Sequence, residues 1–292
     1  MGYSVILLNY KNSEETIRRI KSINKYLSLD HLVVVDNGSP VMKFQIIRDY
    51  IDAVDGSKIR LIRNVENLGY ARGNNIGLKF LNNEIGYRGV VIVMNPDVQI
   101  SENSIDELVA SFHEFPRSFI SPQMKNTKSW WDFTTYNKTL FHEFMRLNHR
   151  EEDTTDYGNL SNASIQKVDV LSGALLAAKM STWEEVNYFD GNTFLYGEEE
   201  ILQYKAHQQG IESYVLLDIF YEHVGGGSTL DGDSSVKSDF LASKRTQTSR
   251  KYYFSEYLNV GRIKWAVLSV VWFLYTIVSV IKRSINRRRT NR

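Results

Sequence analysis

Five polar groupings carry residue types and spacings suited to chemistry. Asp36-Asn37-Gly38-Ser39 sets a carboxylate at the end of an apolar run. Such a group can accept hydrogen bonds from a nucleobase or a ribose, and it would equally serve a plain turn with Asp36 capping the next helix. Glu66 to Gly77 combines Gly69, Gly73 and Gly77 with Arg72 and the amides of Asn67, Asn74 and Asn75. Glycines let a backbone approach a ligand closely and an arginine can meet a diphosphate, although a solvated loop leading into a helix would look similar. Asn95-Pro96-Asp97 follows another apolar run, and Asp97 is placed either to hold a hard divalent cation through oxygen or to cap a turn. Glu198-Glu199-Glu200 opens a helical stretch, where three carboxylates complement the helix dipole or one of them serves as a general base. His223 precedes Gly225-Gly226-Gly227-Ser228, so its imidazole can be structural, a metal ligand or a phosphate contact beside a loop able to order over a ligand.

The elements that must position these groups read as alternating strands and helices. Strands are expected at Val5–Leu8 (ending at Asn9-Tyr10), Leu32–Val35, Ile59–Ile62, Val90–Met94, Phe119–Ser121, Val168–Leu171, Ala174–Ala178 and Tyr214–Leu217. Helices are expected after Asn12 or Ser13, from Pro40 to about Val54, up to Leu81, over Ser104–Phe115, after a capping box at Ser181-Thr182-Trp183-Glu184, and from Glu198 to about Gln209. That alternation implies a mostly parallel α/β sheet, in which ligands bind outside the carboxyl ends of the strands. Asp36 and Asn95-Pro96-Asp97 sit at two of those ends. Lys125–Lys167 shows no clear period, and its length suggests a functional excursion or a mobile loop.

Composition excludes several classes. Lys and Arg number 35 against 34 Asp and Glu, so the chain is not a polycation of the nucleic-acid-binding kind. The absence of cysteine excludes a disulfide scaffold, thiolate metal sites and a cysteine nucleophile, and suits a reducing compartment. Tyr10-Lys11-Asn12-Ser13 has no G-x-G-x-x-G, which argues against a dinucleotide cradle after strand one. The first residues lack the basic and long apolar regions of a signal peptide. Near the other end, Trp265–Ile281 is apolar with basic flanks at Arg262, Lys264, Lys282, Arg283 and Arg287–Arg289. It would reach roughly 25 Å, short of a ~30 Å hydrocarbon core.

Taken in order, the groupings resemble the family 2 glycosyltransferases, especially a rhamnosyltransferase-like branch of bacterial polysaccharide assembly. The resemblance rests on Val34-Val35-Asp36-Asn37-Gly38-Ser39, Asn67 to Asn75, Asn95-Pro96-Asp97, Phe189-Asp190 with Phe194 to Glu199, and His223 with the glycines after it. It implies a GT-A fold over residues 1–230, a nucleotide-sugar donor (dTDP- or UDP-linked), Mg²⁺ or Mn²⁺, and inverting transfer to a saccharide acceptor, for which the apolar segment near the other end suggests a lipid-linked glycan. It places Asn9, Tyr10, Asp36, Asn67, Gly69, Arg72, Asn75 and Asn95 around the donor, Asp97 and His223 on the metal, and Glu199, with Glu198 as an alternative, as catalytic base. The family usually has aspartate where Glu199 stands and a further aspartate where Ile201 stands. Those departures keep open a catalytically silent docking module. A sugar nucleotidyltransferase is a second alternative, but it would want a glycine- and basic-rich loop after strand one. Residues 231–292 are expected to form a C-terminal helical region whose segment at about 263–283 associates with the membrane. Because nucleotide sugars are cytosolic, the expected location is cytoplasmic, on the inner face of the membrane, with that segment lying in the interface or re-entering it; a buried or oligomerisation helix is the alternative. A homodimer is an available arrangement, and a nucleic-acid partner is not expected.

Overall fold

The computed structural model describes residues 1–54, 56–147, 164–224, 236–274 and 278. The chain divides into two compact units, one built from Met1–Phe133 and Asn159–Gly232, the other from Thr134–Gly158 and Asp233–Arg292.

The first unit begins with three parallel strands, β1 (Tyr3–Asn9), β2 (Leu29–Asp36) and β3 (Ile59–Arg63), linked through α1 (Ser13–Ile23) and α2 (Val41–Asp52). Then come α3 (Tyr70–Lys79), which runs into a π-helical turn at Phe80–Glu84, and β4 (Val90–Met94), parallel to β1. The short β5 (Val98–Gln99), α4 (Glu102–Ala110), β6 (Ser118–Met124) and β7 (Trp130–Trp131) follow. After residue 163 come β8 (Ile165–Val168), β9 (Val170–Leu171), β10 (Leu175–Lys179), α6 (Met180–Glu185), α7 (Glu198–Gln208) and β11 (Glu212–His223). The second unit holds α5 (Tyr136–Leu147), α8 (Val236–Tyr252) with a π turn at Tyr253–Tyr257, and a helix α9 over 262–274.

The main sheet runs β3-β2-β1-β4-β10-β6-β11-β5, with β8 beside β11. Its β3-to-β4 half is parallel, and β10 enters antiparallel between β4 and β6. Because side chains alternate across a strand, each central strand feeds two cores. Val5, Leu7, Val34 and Ile92 meet Ile20, Ile47, Ile105 and Phe112 on the α1, α2 and α4 side. Ile6, Val33, Val91 and Val93 meet Leu78, Leu81, Trp183 and Leu202 on the α3, α6 and α7 side.

Several sequence expectations change. Gly73 and Gly77 lie inside α3, not in a ligand loop. A Cβ on Gly73 would meet Leu8 Cδ1 at 2.5 Å, and one on Gly77 would meet Ile6 Cγ2 at 2.8 Å. These glycines let α3 lie flat on β1. No capping box forms, because α6 starts at Met180, whose N–H donates to the Gly89 carbonyl at 2.9 Å, leaving Ser181 inside the helix. Helix α4 is capped instead by Ser101, whose hydroxyl accepts from Ser104 N–H. The stretch read as Val168–Leu171 is two strands, and the strand expected at Tyr214–Leu217 extends to His223. Part of the 125–167 excursion is ordered as β7 and α5, while the Gly225–Ser228 run lies outside the described residues.

Trp183 ties the second core together. It is fully buried, stacks edge-on against Phe119 with centroids 4.9 Å apart, and donates from its indole to the Val91 carbonyl at 3.3 Å. Trp183→Ala should cost about 3–5 kcal/mol of folding free energy, readable as a lowered urea midpoint.

Candidate active site

The strand ends β1, β2 and β4, the β9–β10 link and the end of β11 contribute the groups singled out above. At β1 and β2, the Asn9 amide donates to Asp36 Oδ1 at 2.7 Å and to Ser39 Oγ at 3.2 Å, and accepts from Thr16 Oγ1 at 2.9 Å. The other Asp36 oxygen accepts from Ser39 N–H at 3.2 Å and pairs with Arg63 at 4.0 Å. Asn9 and Asp36 are both fully buried. Their side chains brace the turn at residues 37–39, with Lys11 N–H held on Ser39 Oγ at 2.8 Å. Tyr10, half-buried, lies beside that turn with the Lys11 ammonium 4.9 Å from its ring centre.

Asn37 was not singled out by itself, yet it organises the next loop. Its carbonyl oxygen accepts from Asn64 Nδ2 at 3.0 Å and Leu68 N–H at 3.1 Å, while its amide donates to Asn67 Oδ1 at 3.0 Å and the Gly69 carbonyl at 3.1 Å. Asn67 Oδ1 also accepts from Gly69 N–H at 2.9 Å. This amide lattice delivers Gly69 against the segment before α7. Gly69 has φ +84°, and a Cβ there would stand 2.3 Å from the Phe194 carbonyl oxygen. That same oxygen accepts from Tyr70 N–H at 3.0 Å. Arg72 donates to the Gly191 carbonyl at 2.6 Å, and Asn75 clamps Phe189 through both its donor and its acceptor, at 2.8 and 3.0 Å. In this structure Asn67, Gly69, Arg72 and Asn75 thus join α3 to residues 189–194.

At the end of β4, Asn95 N–H donates to the Ala174 carbonyl at 2.9 Å. Asp97 is buried, and its Oδ1 lies 3.0 Å from His223 Nε2. The pairing of β5 with β11 makes this contact: Val98 is opposite His223, Gln99 opposite Glu222, and Val224 N–H donates to the Asp97 carbonyl at 3.1 Å. The hydrogen bond to Asp97 raises the imidazole pKa, against the opposing effect of burial. Arg19 from α1, also buried, donates to the Pro96 carbonyl at 3.3 Å behind this turn.

Glu199 stands at the neighbouring β9–β10 link. A Cβ on Gly173 would meet Glu199 Oε1 at 2.8 Å, so the missing side chain is what lets the carboxyl lie against this backbone. The Tyr70 hydroxyl donates to the Gly173 carbonyl at 2.5 Å. Burial raises the Glu199 pKa, backbone hydrogen bonds including one from Gly173 oppose it, and the Glu200 charge adds to it. Burial also raises Glu198 strongly, with the Glu199 charge as the second cause. Desolvation, more than the like-charge repulsion of an acidic cluster, therefore sets both. Glu198 is 3% exposed and its Oε2 has no hydrogen-bond partner, whereas Glu199 is half-buried. Ile201 is fully buried on α7, so the position of the missing aspartate is a packing position.

Ala174 links the two halves: its carbonyl holds Asn95, and its neighbour Gly173 carries Glu199. Sequence reasoning gave Asn37 no role of its own and missed Asn64, Gly173 and Arg19. Gly173 had a signal, a lone glycine between two strand-like runs. The amides and Arg19 act through long-range contacts that no spacing rule announces.

The family model described as Glycosyl transferase family 2 matches residues 4–171. The chain belongs to this family. The low-salt glycan biosynthesis hexosyltransferase Agl10 of Haloferax volcanii is 27% identical over 282 residues, covering 95% of this chain and 84% of that protein. Among solved structures, GalNAc-T7 with UDP, GalNAc and Mn²⁺ aligns with TM-score 0.62 at 14% identity over 87% of this chain, which spans half of that one. The mannosyltransferase PcManGT from Pyrobaculum calidifontis, in complex with GDP-Man and Mn²⁺, aligns with TM-score 0.58 at 13% identity, covering 97% and 75% of the two chains. Residues 1–349 of S. aureus TarS align with TM-score 0.51 at 16% identity, covering 94% and 81%. At these identities the likeness shows the fold: α/β, GT-A-like, as the family resemblance implied.

Among the described residues no cluster of three or more His, Asp or Glu is arranged to hold a metal ion. The Asp97–His223 pair is nevertheless a suitable donor set for an ion completed by other ligands. Mg²⁺ is commonly held by one or two carboxylates, the part Asp97 fits, with substrate phosphates and water filling the rest.

Gly69→Ala places a Cβ on a backbone oxygen at a left-handed φ. It should lower stability by at least about 2 kcal/mol and loosen residues 189–196, seen as faster amide exchange there than in α1.

Proposed function

We propose that the chain is an inverting glycosyltransferase that moves a hexose from a nucleotide-sugar, dTDP- or UDP-linked, to a saccharide or lipid-linked acceptor with Mg²⁺ or Mn²⁺. The observation that carries the reading is at Gly173-Ala174: the Ala174 carbonyl holds Asn95 of the turn that bears Asp97, itself paired with His223, and Gly173 makes room for Glu199. The hexosyltransferase relative supports a hexose, and rhamnose stays within that reading. Metal dependence is supported by the Asp97–His223 donor set and by the Mn²⁺ named in two structural neighbours.

The donor's nucleoside is assigned to the β1 and β2 ends, where Tyr10 and the 37–39 turn offer side-chain and backbone groups and Asn9 and Asp36 brace them from below. Arg72, Asn67, Asn75 and Gly69 keep the α3 start closed on residues 189–194, and Asn95 anchors the turn that presents Asp97. A divalent ion held by Asp97 and His223 would supply positive charge against the diphosphate. Glu199 takes the proton of the acceptor hydroxyl while that oxygen bonds to the anomeric carbon and the bond to the diphosphate oxygen breaks. Attack opposite the leaving group inverts the anomeric centre. The catalytic unit is assigned to residues 1–230.

Glu199→Gln should lower kcat by about 10²–10⁴-fold with little change in nucleoside diphosphate binding; near-wild-type turnover would remove the assignment. The pH dependence has a definite sign. The base must be ionised, and its pKa is raised, so activity is lost as pH falls through a value above the ordinary glutamate range. The acidic limb of the kcat profile should lie above pH ~4.3. A limb at or below that value would show an unperturbed carboxylate.

The second unit supports a peripheral membrane role. No helix among the described residues is long and apolar enough to cross a membrane. Helix α9 instead has two apolar faces. Leu268 and Trp272 are buried, and Trp265 packs on Trp272 with centroids 5.2 Å apart. Ile263, Val267, Val270 and Leu274, spaced i, i+4, i+7 and i+11, are 83%, 46%, 58% and 47% exposed. With Arg262 and Lys264 exposed beside that stripe and a basic sequence from Lys282 on, this is the composition of an interfacial helix on anionic lipid. It fits attachment to the cytoplasmic face. The protein should float with phosphatidylglycerol vesicles and less with phosphatidylcholine vesicles, and V267D/V270D should sediment away from both. Equal flotation of the double variant would refute the placement.

A further inference from the structure

A groove of about 750 Å³ opens along the sheet edge formed by β5, between α1, α4 and the distal part of β11. No residue of the reaction scheme above lines it. Its position follows from the ladder. Gln99 and Glu222 form the rung next to Val98 and His223. Alternation along β11 turns Tyr221 and His223 to one face, and Phe220 and Glu222 to the other. The groove therefore starts one rung from the Asp97–His223 pair but on the opposite face of the β5–β11 ribbon. Since β5 ends the sheet order, a chain-like ligand can pass round its free edge between the two faces.

The lining has a defined chemistry. Phe220 is 48% exposed on a strand whose other outward residues there are the acids Asp218 and Glu222. A register irregularity between Leu216 and Phe220 sets this end of β11 against β6, with Phe220 opposite Gln123. The same groove is lined by Gln99, Ser104 and the Lys125–Glu222 ion pair, 2.6 Å apart. Arg19, whose guanidinium donates to Pro96 in the Asp97 turn, lines the wall nearest the reaction centre. A flat aromatic face sharing a groove with amide, hydroxyl and paired charges suits a pyranose ring, which presents one apolar C–H face and equatorial hydroxyls. The volume accepts roughly two or three sugar rings. A lipid chain would meet too many polar groups here, and a phosphate would meet the Glu222 carboxylate beside Lys125.

We infer that this groove binds saccharide units of the acceptor remote from the reacting hydroxyl, with Phe220 as the stacking platform. The inference rests on the proposed transfer to a saccharide acceptor. The test is retention of the full chain on an array of defined gluco-, galacto-, manno- and rhamno-oligosaccharides of two to six units, run in parallel with donor hydrolysis by the wild type. Wild type should be retained on at least one oligosaccharide series, Phe220→Ala should bind it at least about tenfold more weakly, and Phe220→Tyr should keep it. Melting temperatures establish that each variant is folded. No retention of the wild type, or equal retention of a folded Phe220→Ala, would overturn the inference. Donor hydrolysis separates the two ideas: hydrolysis without retention sinks the groove alone, whereas retention without hydrolysis sinks the transferase reading and leaves the groove as a saccharide site.

Discussion

The contact between Asp97 and His223 is the constraint on which the candidate site depends. The two residues are 126 positions apart, and they meet at 3.0 Å because a two-residue strand, β5, pairs with the last residues of β11. That pairing directs a carboxylate and an imidazole at each other. It also fixes the turn at residues 95–97 from both sides, with Ala174 holding Asn95 and Arg19 holding Pro96. A site for a diphosphate-bound cation needs ligands that do not have to reorganise when charge develops. Asp97 and His223 are both anchored by backbone pairing and not by flexible side chains alone: the Asp97 carbonyl accepts from Val224 N–H, and His223 stands opposite Val98.

The carboxylate opposite is placed by absent side chains. Gly173 leaves room for Glu199, and Gly69 leaves room for the Phe194 carbonyl. The two contacts are joined through Tyr70, whose N–H reaches Phe194 and whose hydroxyl reaches Gly173. The start of α3 is therefore tied both to the segment before α7 and to the β9–β10 link. Burial then acts on the two glutamates together and raises both, Glu198 being buried and Glu199 half-buried.

Much of this was legible in the chain. The run Val90–Met94 is continuously apolar because β4 is buried on both faces, and its observed limits match the reading. Helix α7 begins at Glu198, where the carboxylates announced a start. The distal half of β11 was harder. Asp218, Phe220 and Glu222 alternate with buried Ile219 and Tyr221, so a rule seeking an unbroken apolar run stops at Leu217. The glycines of residues 69–77 advertised close approach correctly but not its object, since Gly73 and Gly77 approach β1. The Asn37–Asn64–Asn67 lattice joins residues from different loops, and an asparagine in isolation predicts only a turn. Family resemblance supplied the roles of the residues, and the structure shows what most of them touch.

The most direct measurement is anomalous diffraction from crystals grown with Mn²⁺ and a nucleoside diphosphate. The account predicts one strong manganese peak bonded to Asp97 and His223 and to diphosphate oxygens, with Glu199 facing the open side of the same cleft. A diphosphate bound elsewhere, or a manganese peak away from both side chains, would contradict it.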